Sequence, residues 1–420
     1  MAREMKDSGV EWIGKIPREW EVLKNKNCFT LRKEIVGNSF EEYNLLSLTK
    51  LGIKIKDKND FKGKVPENYG TYQNVKRGEI VLCLFDLDCS AVFSGLSEYE
   101  GMISPAYKVY TCNKNIYNTF AKYWFEYCFI ERKYKIYSKS LRYVVNSDDF
   151  GGIEILVPPL EEQEKIANYL DKKVSDIDLI IEKTKITIED YKKYKQSIIT
   201  EVVAKGLNPN VEMKDSGNIY IGKIPKKWQM KKIKYLFLIK KDIAGKIGFD
   251  ILSITQKGIK IKDTTTNEGQ MSMDYSKYQL LNVGEFAMNH MDLLTGWVDI
   301  SKYDGVTSPD YRVFKLIDEK NNSKNYYLYF MQICYSNKIF YSLGQGVSSL
   351  GRWRLQSDKF MNFIIPVPPL EEQNQIAEYL DKKTSEIDTL INKKEALIKE
   401  LEEYKKSLIY ECVTGKKEIK

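Results

Sequence analysis

The chain repeats itself once, and no other feature constrains its fold as tightly. Residues 5–9 (MKDSG) return at 213–217, residues 13–17 (IGKIP) at 221–225, and Trp20 at Trp228, all at an offset of 208. Residues 45–57 (LLSLTKLGIKIKD) match 251–263 (ILSITQKGIKIKD), and 104–110 (SPAYKVY) match 308–314 (SPDYRVF). The strongest pair is VPPLEEQEKIANYLDKK (157–173) against VPPLEEQNQIAEYLDKK (367–383), identical at 14 of 17 positions. Offsets stay between 204 and 210, so the 420 residues are two copies of one unit, each long enough to bury its own core.

Each copy reads as a globular head followed by a long helix. Short apolar runs such as 79–85 (EIVLCLF) and 286–288 lie between Gly, Asn and Asp turns, as strands do. The aromatic-rich stretches 124–137 and 326–341 suit helices, so the heads are α+β. Pro158-Pro159 suits a helix start, and Glu161-Glu162 then complement the dipole in its first turn. From Leu170 an apolar seam runs through Val174, Ile177, Ile181, Thr184, Ile188, Tyr191, Ile198 and Val202. The second copy gives Leu380, Thr384, Ile387, Ile391, Ile398, Leu401, Leu408 and Cys412. Spacings near three and four are those of a coiled coil, and Gly206 and Gly415 stand where left-handed caps belong. Helices of some 45 residues, about 68 Å long, with one apolar stripe need a partner, and each supplies the other.

The linker at 202–217 resembles the joint that the two chain ends would make if they met, so the sequence is close to a circular permutation of itself. Two such copies predict a pseudo-two-fold dumbbell with antiparallel helices. The expected segments are a head at 1–157, a helix at 158–208, a second head at 209–366 and a second helix at 367–420.

The net charge of +8 is uneven. The heads carry 24 Lys+Arg against 21 Asp+Glu and 23 against 15, whereas the helices carry 9 against 10 and 10 against 12. A polyanion is therefore expected on the heads, and a basic helix lying in a DNA groove is excluded. Lys54, Lys56, Lys260 and Lys262 alternate along a strand beside a Gly turn and suit phosphates; a solvated, aggregation-resistant edge would look the same. A second cluster precedes each helix: Lys139, Arg142 and Tyr143 in copy one, Ser348, Ser349, Arg352, Trp353 and Arg354 in copy two. Two of only nine arginines lie within three residues there, and arginine is the usual bidentate partner of guanine and phosphate.

Catalysis finds little support. The single histidine, His290, excludes histidine triads and two-histidine metal sites; it stands where copy one has Leu84, as a candidate base reader or a plain domain histidine. Asp310, Asp318, Glu319 and Lys320 superficially resemble a nuclease cluster, but copy one has Ala106 opposite Asp310. There is no G-x-x-x-x-G-K-[ST] loop, no strand-borne G-x-G-x-x-G and no Asn-Pro-Pro-aromatic tetrad. Seven cysteines with no C-x-x-C, no apolar run of membrane length and no signal-peptide pattern in MAREMKDSG lead to the expectation of a reducing cytoplasm.

Two divergent heads, each followed by a PPLEEQ-led helix, resemble the specificity subunit of type I restriction-modification enzymes. The resemblance rests on VPPLEEQ and its helix at 157 and 367, SPAY/SPDY, WIGKIP/YIGKIP and YKQSIITEVVAKG (194–206), and it covers nearly the whole chain. It implies a non-catalytic reader of double-stranded DNA, with each head a target recognition domain for one half of a split, asymmetric site. It implies helices that set the gap and two modification subunits that bind S-adenosylmethionine and methylate adenine. Two ATP-driven, Mg-dependent restriction subunits complete such an assembly, so no cofactor is expected in this chain.

Residues shared by the copies suit phosphate positioning, and base reading is expected where they diverge: 57–76 against 263–282, 84–103 against 290–307, and 137–146 against 341–356. The recurrence of PPLEEQ places Leu160, Glu161, Glu162 and Gln163, with Leu370, Glu371, Glu372 and Gln373, near modification-subunit contacts; the alternative is that they only start and anchor each helix. A two-headed protein scaffold without DNA binding is the competing function, and it leaves the charge of the heads unexplained.

Overall fold

The computed structural model describes residues 3–49, 52–58, 68–87, 94–138, 143–263, 274–346 and 353–419. It is an α+β protein with α-helices α1 (Asn118–Ile130), α2 (Ser147–Gly152), α3 (Leu160–Lys205), α4 (Lys324–Ser336), α5 (Ile339–Ser342), α6 (Ser357–Asn362) and α7 (Leu370–Val413) among short strands. Packing divides it into two compact units, Met1–Lys185 with Ala396–Lys420, and Ile186–Glu395. The division runs through the long helices, not at their ends, because the two halves of each helix bury their seams in different cores. Among the described residues no helix is long and apolar enough to cross a membrane.

In unit one the strands Phe29–Arg32, Lys108–Cys112, Ile80–Leu82 and Ser94–Leu96 form one antiparallel sheet in that order. A second sheet runs Gly52–Lys56, Leu45–Thr49, Gly101–Ile103, Gln73–Val75, with the first pair a hairpin and Met102 parallel to Leu45. Helix α1 is buried almost all round, with Phe120, Tyr123, Trp124, Phe125, Tyr127 and Phe129 inside, which is the pattern of a helix covered on both faces. One side meets the head through rings such as Phe29, and the other meets the long helices through Tyr123, which donates to Asp171 at 2.7 Å, and Tyr127, 5.3 Å from Tyr410. The strand Glu154–Val157 pairs antiparallel with Glu21–Lys24 and leads directly into α3.

Unit two repeats the plan. Phe237–Lys240, Arg312–Leu316, Phe286–Met288 and Val298–Ile300 make the antiparallel sheet, and Gln229–Lys232 pairs with Ile364–Val367 before α7. The hairpin Leu252–Thr255/Gly258–Ile261 and the pair Gln279–Leu281/Gly305–Thr307 are joined by the bridge Ile251–Val306 and by the Thr307 hydroxyl, which donates to the Leu252 carbonyl at 3.0 Å. The repeated Ser-Pro motif is architectural in both units. Buried Gln73 donates to the carbonyls of Ser104 (3.2 Å) and Tyr107 (2.7 Å), and buried Gln279 donates to those of Ser308 and Tyr311, both at 2.7 Å.

The seam expected of the long helices is the face they bury. Leu170, Val174, Ile177, Ile181, Thr184 and Ile188 of α3 and Leu380, Ile387, Ile391, Leu408 and Cys412 of α7 are all buried, and Thr184 returns its hydroxyl to the Ile180 carbonyl. Within unit one the helices run antiparallel: Lys417 lies over the Tyr169 ring, while Lys405 pairs with Asp178 further along at 2.9 Å. The repeat-equivalent pair in unit two is Lys195 with Asp388. Both helices end in a left-handed glycine, Gly206 (φ +77°) and Gly415 (φ +70°), and a Cβ there would come within 3.2 Å of Trp228 or 3.1 Å of Trp20.

Candidate nucleic-acid interface

The lysine rows lie on matching hairpins. Lys54 is exposed opposite Ser47, and Lys56, two residues on, shares its face half-buried. Lys260 is exposed opposite Ser253, and half-buried Lys262 stands just past the strand, its N–H on the Ile251 carbonyl at 2.7 Å. The strand of Lys54 is the edge of its sheet, so a protective edge and a phosphate-binding edge coincide there.

Of the second cluster, Lys139, Arg142, Ser348, Ser349 and Arg352 lie outside the described residues. The residues flanking them occupy equivalent places in the two units. Tyr143, at φ +45°, holds its ring 4.3 Å from the Lys135 ammonium, and Trp353 packs on Tyr341 at 4.9 Å. The Val145 N–H donates to the Leu84 carbonyl at 2.9 Å, as the Leu355 N–H does to the His290 carbonyl. Asp86 (φ +51°) is a second left-handed non-glycine, and it precedes Leu87, whose N–H donates to the Tyr143 carbonyl. Two strained residues thus sit side by side at the outer loops of unit one, where local strain commonly accompanies function. Arg354 is exposed, and its backbone is bridged in both directions to Gln345.

His290 is half-buried with its Nδ1 enclosed and unpartnered, and burial, followed by the charges of Arg312 and Arg354, pushes its imidazole down to about 3. It is therefore neutral at physiological pH and offers hydrogen bonds instead of a positive charge. Arg312 itself was not among the residues expected to matter. Burial pulls its guanidinium down to about 10, and it donates to the Leu355 carbonyl at 2.9 Å and to Ser357 Oγ at 3.2 Å. The signal in the sequence is faint: an arginine inside a strand whose neighbours Val313 and Phe314 are apolar.

The PPLEEQ motifs divide into inner and outer residues. Gln163 is fully buried, donating to the carbonyls of Pro158 (2.8 Å) and Asn115 (3.0 Å) and accepting from the Tyr117 N–H (2.7 Å). Gln373 donates to the Pro368 carbonyl and accepts from the Ser323 N–H, both at 2.8 Å. Glu162 and Glu372 accept from the indoles of Trp20 and Trp228, both at 3.0 Å, and pair with Arg3 and Lys227 respectively. Glu162, Gln163, Glu372 and Gln373 thus tie the start of each long helix to the head of its own unit. Leu160, Glu161 and Glu371 are exposed and Leu370 half-buried, so the leucine and first glutamate are the outward part of each LEEQ stretch.

Leu160 also borders a cleft of about 600 Å³ in unit one, shared with Lys76, Arg77, Lys114 and Glu164. No sequence pattern marked it, because its walls come from three separate turns. The acidic run at Asp318 is a turn: Asp318 caps the N–H groups of Lys320 and Asn321, and Glu319 pairs with Lys324.

Residues 225–400 match the family described as the type I restriction modification DNA specificity domain. Over 292 residues the chain is 28% identical to the type I restriction enzyme MjaVIII specificity subunit of Methanocaldococcus jannaschii, covering 66% of this chain and 65% of that one, just under two thirds. The putative MjaX specificity subunit of the same organism is 25% identical, covering 97% of this chain and 96% of the relative. The fold matches a chain from a structure of type I R-M complex assembly and conformational transition (TM-score 0.68, 14% identity, 95% and 98% covered). It also matches the HsdS subunit of Thermoanaerobacter tengcongensis (TM-score 0.53, 14% identity, 97% and 99% covered).

Proposed function

We propose, for a chain that belongs to the DNA specificity subunits of type I restriction-modification systems, that each head reads one half of a bipartite, asymmetric DNA site. The observation that carries this reading is the contrast inside the repeat. Both heads share the frame of Trp, Glu and Gln contacts, yet differ beside it: buried Leu84 against half-buried His290, half-buried Lys108 against buried Arg312, exposed Val144 against exposed Arg354. A frame kept constant while the side chains beside it change is what reading two different sequences requires.

The chain carries no catalysis of its own and acts as part of a type I complex. Lys54 and Lys260 hold phosphates, while Arg354 and His290 face bases. Leu160, Glu161, Leu370 and Glu371 meet modification subunits, two per chain, which bring S-adenosylmethionine. Two restriction subunits bring ATP and Mg chemistry, and the complex works in the cytoplasm. The helices set the gap between half-sites.

Selection from a random duplex library by the full chain in its complex tests the reading. A split motif should be enriched, with binding that weakens steeply as salt rises. Exchanging residues 290–307 and 341–356 for those of another specificity subunit should change one half of that motif only. Enrichment of no split motif would leave the protein-scaffold function standing instead.

A further inference from the structure

Arg312 is 4% exposed, and no carboxylate pairs with it among the described residues. It is held by neutral acceptors alone, the Leu355 carbonyl, Ser357 Oγ and Met288 Sδ, and by the Phe360 ring 4.8 Å away. A buried cation without a counter-ion is costly, and copy one keeps the equivalent cation, Lys108, only half-buried. Apart from Met288, the partners of Arg312 lie on one short segment, 355–360. Leu355 is gripped from both sides, with its N–H on the His290 carbonyl at 2.9 Å and its carbonyl on Arg312, and Ser357 begins α6. Arg354 lies between the Gln345 bridge and this grip, and its charge, like that of Arg312, falls on His290.

We propose that Arg312 is a positioning residue for the specificity of head two: by fixing Leu355 and Ser357 it presents Arg354 and His290 together as one base-reading pair. The inference rests on the DNA-reading role proposed above. An exposed arginine reaches guanine in a bidentate fashion only when its backbone is held, and the buried guanidinium does the holding. Its uncompensated charge also raises the local potential that a polyanion meets.

The test is library selection by the full chain in its complex, comparing wild type with Arg312→Met, Arg354→Gln, the double variant and Ser357→Ala. Arg312→Met should cut the preference at one half-site by about tenfold, the worth of one good base contact, and spare the other half-site. The salt slope should move by less than about one unit, because no phosphate contact is lost. The double variant should lose no more than the larger of the two single losses, since both act through one contact; a residue that only stabilised the head would add its loss. Ser357→Ala removes one anchor without disturbing the buried charge and should weaken the same half-site about threefold. It decides the matter alone if Arg312→Met does not fold. An unchanged half-site in Ser357→Ala and in any folded Arg312→Met protein, or additive losses in the double variant, overturns the positioning role and leaves DNA reading intact. A wild-type complex that enriches no split motif overturns both.

Discussion

The two units share one buried frame and part around it. Trp20 and Trp228 are fully buried, each donating to the second glutamate of the motif and each edge-on to an aromatic ring of the following helix, Phe120 or Tyr326, at 6.5 Å. Tyr123 and Tyr329 donate to Asp171 and Asp381, both at 2.7 Å. Arg32 pairs with buried Glu79 where Lys240 pairs with buried Glu285. Outside this frame the copies diverge: where unit one flanks its cleft with Lys76, Arg77 and Lys114, the repeat-equivalent positions of unit two are Asn282, Val283 and Asp318. Geometry that must be shared lies in buried, hydrogen-bonded groups, and chemistry that must differ lies on residues the frame does not need.

The comparison breaks most visibly if the frame is unequal. Trp20→Ala and Trp228→Ala should each destabilise their own unit by about 3–5 kcal/mol, the usual cost of emptying a fully buried tryptophan site. Differential scanning calorimetry of both variants checks this, and costs differing by more than about 2 kcal/mol would mean that the copies are not energetically equivalent.

A smaller effect separates the units by pH. The folded pKa of His290 is depressed, so between about 6.5 and 3 the unfolded chain takes up a proton that the folded unit refuses. Unit two should therefore lose stability as pH falls below 6.5, by at most about 2 kcal/mol at pH 5. His290→Leu, which installs the residue of copy one, should remove that dependence from a urea-unfolding series at pH 5 and pH 7.5. An unaltered pH dependence in the variant would show that the imidazole is not held neutral.

The smallest effect concerns what the surfaces share. Lys54→Ala and Lys260→Ala should each lower the slope of log affinity against log salt by about one unit without changing the selected sequence. A changed motif in either variant would move that lysine from positioning to reading.

Much of this was legible beforehand where the signal is local. The seam through Leu170, Val174 and Ile181, the Pro158-Pro159 start and the caps at Gly206 and Gly415 follow from helix periodicity and backbone sterics, which need no tertiary partner. The roles of Gln163, Gln73 and Arg312 do not. A glutamine or arginine in a string of letters reads as surface, and only the fold brings Tyr117, Ser104 or Leu355 within reach to satisfy it inside. Five of the expected contact residues, Lys139, Arg142, Ser348, Ser349 and Arg352, lie outside the described residues.

The unbroken seam from Ile181 to Ile188 passes the point where α3 leaves one compact unit and joins the next. Along such a helix, length and phase change together: one inserted residue adds about 1.5 Å and turns everything beyond it by about 100°. Seven residues add about 10.5 Å and bring the stripe back to within about 20°. Between residues 181 and 188 the chain therefore tolerates changes of length in a grammar of whole heptads, whereas single-residue insertions scramble which side chains are inside.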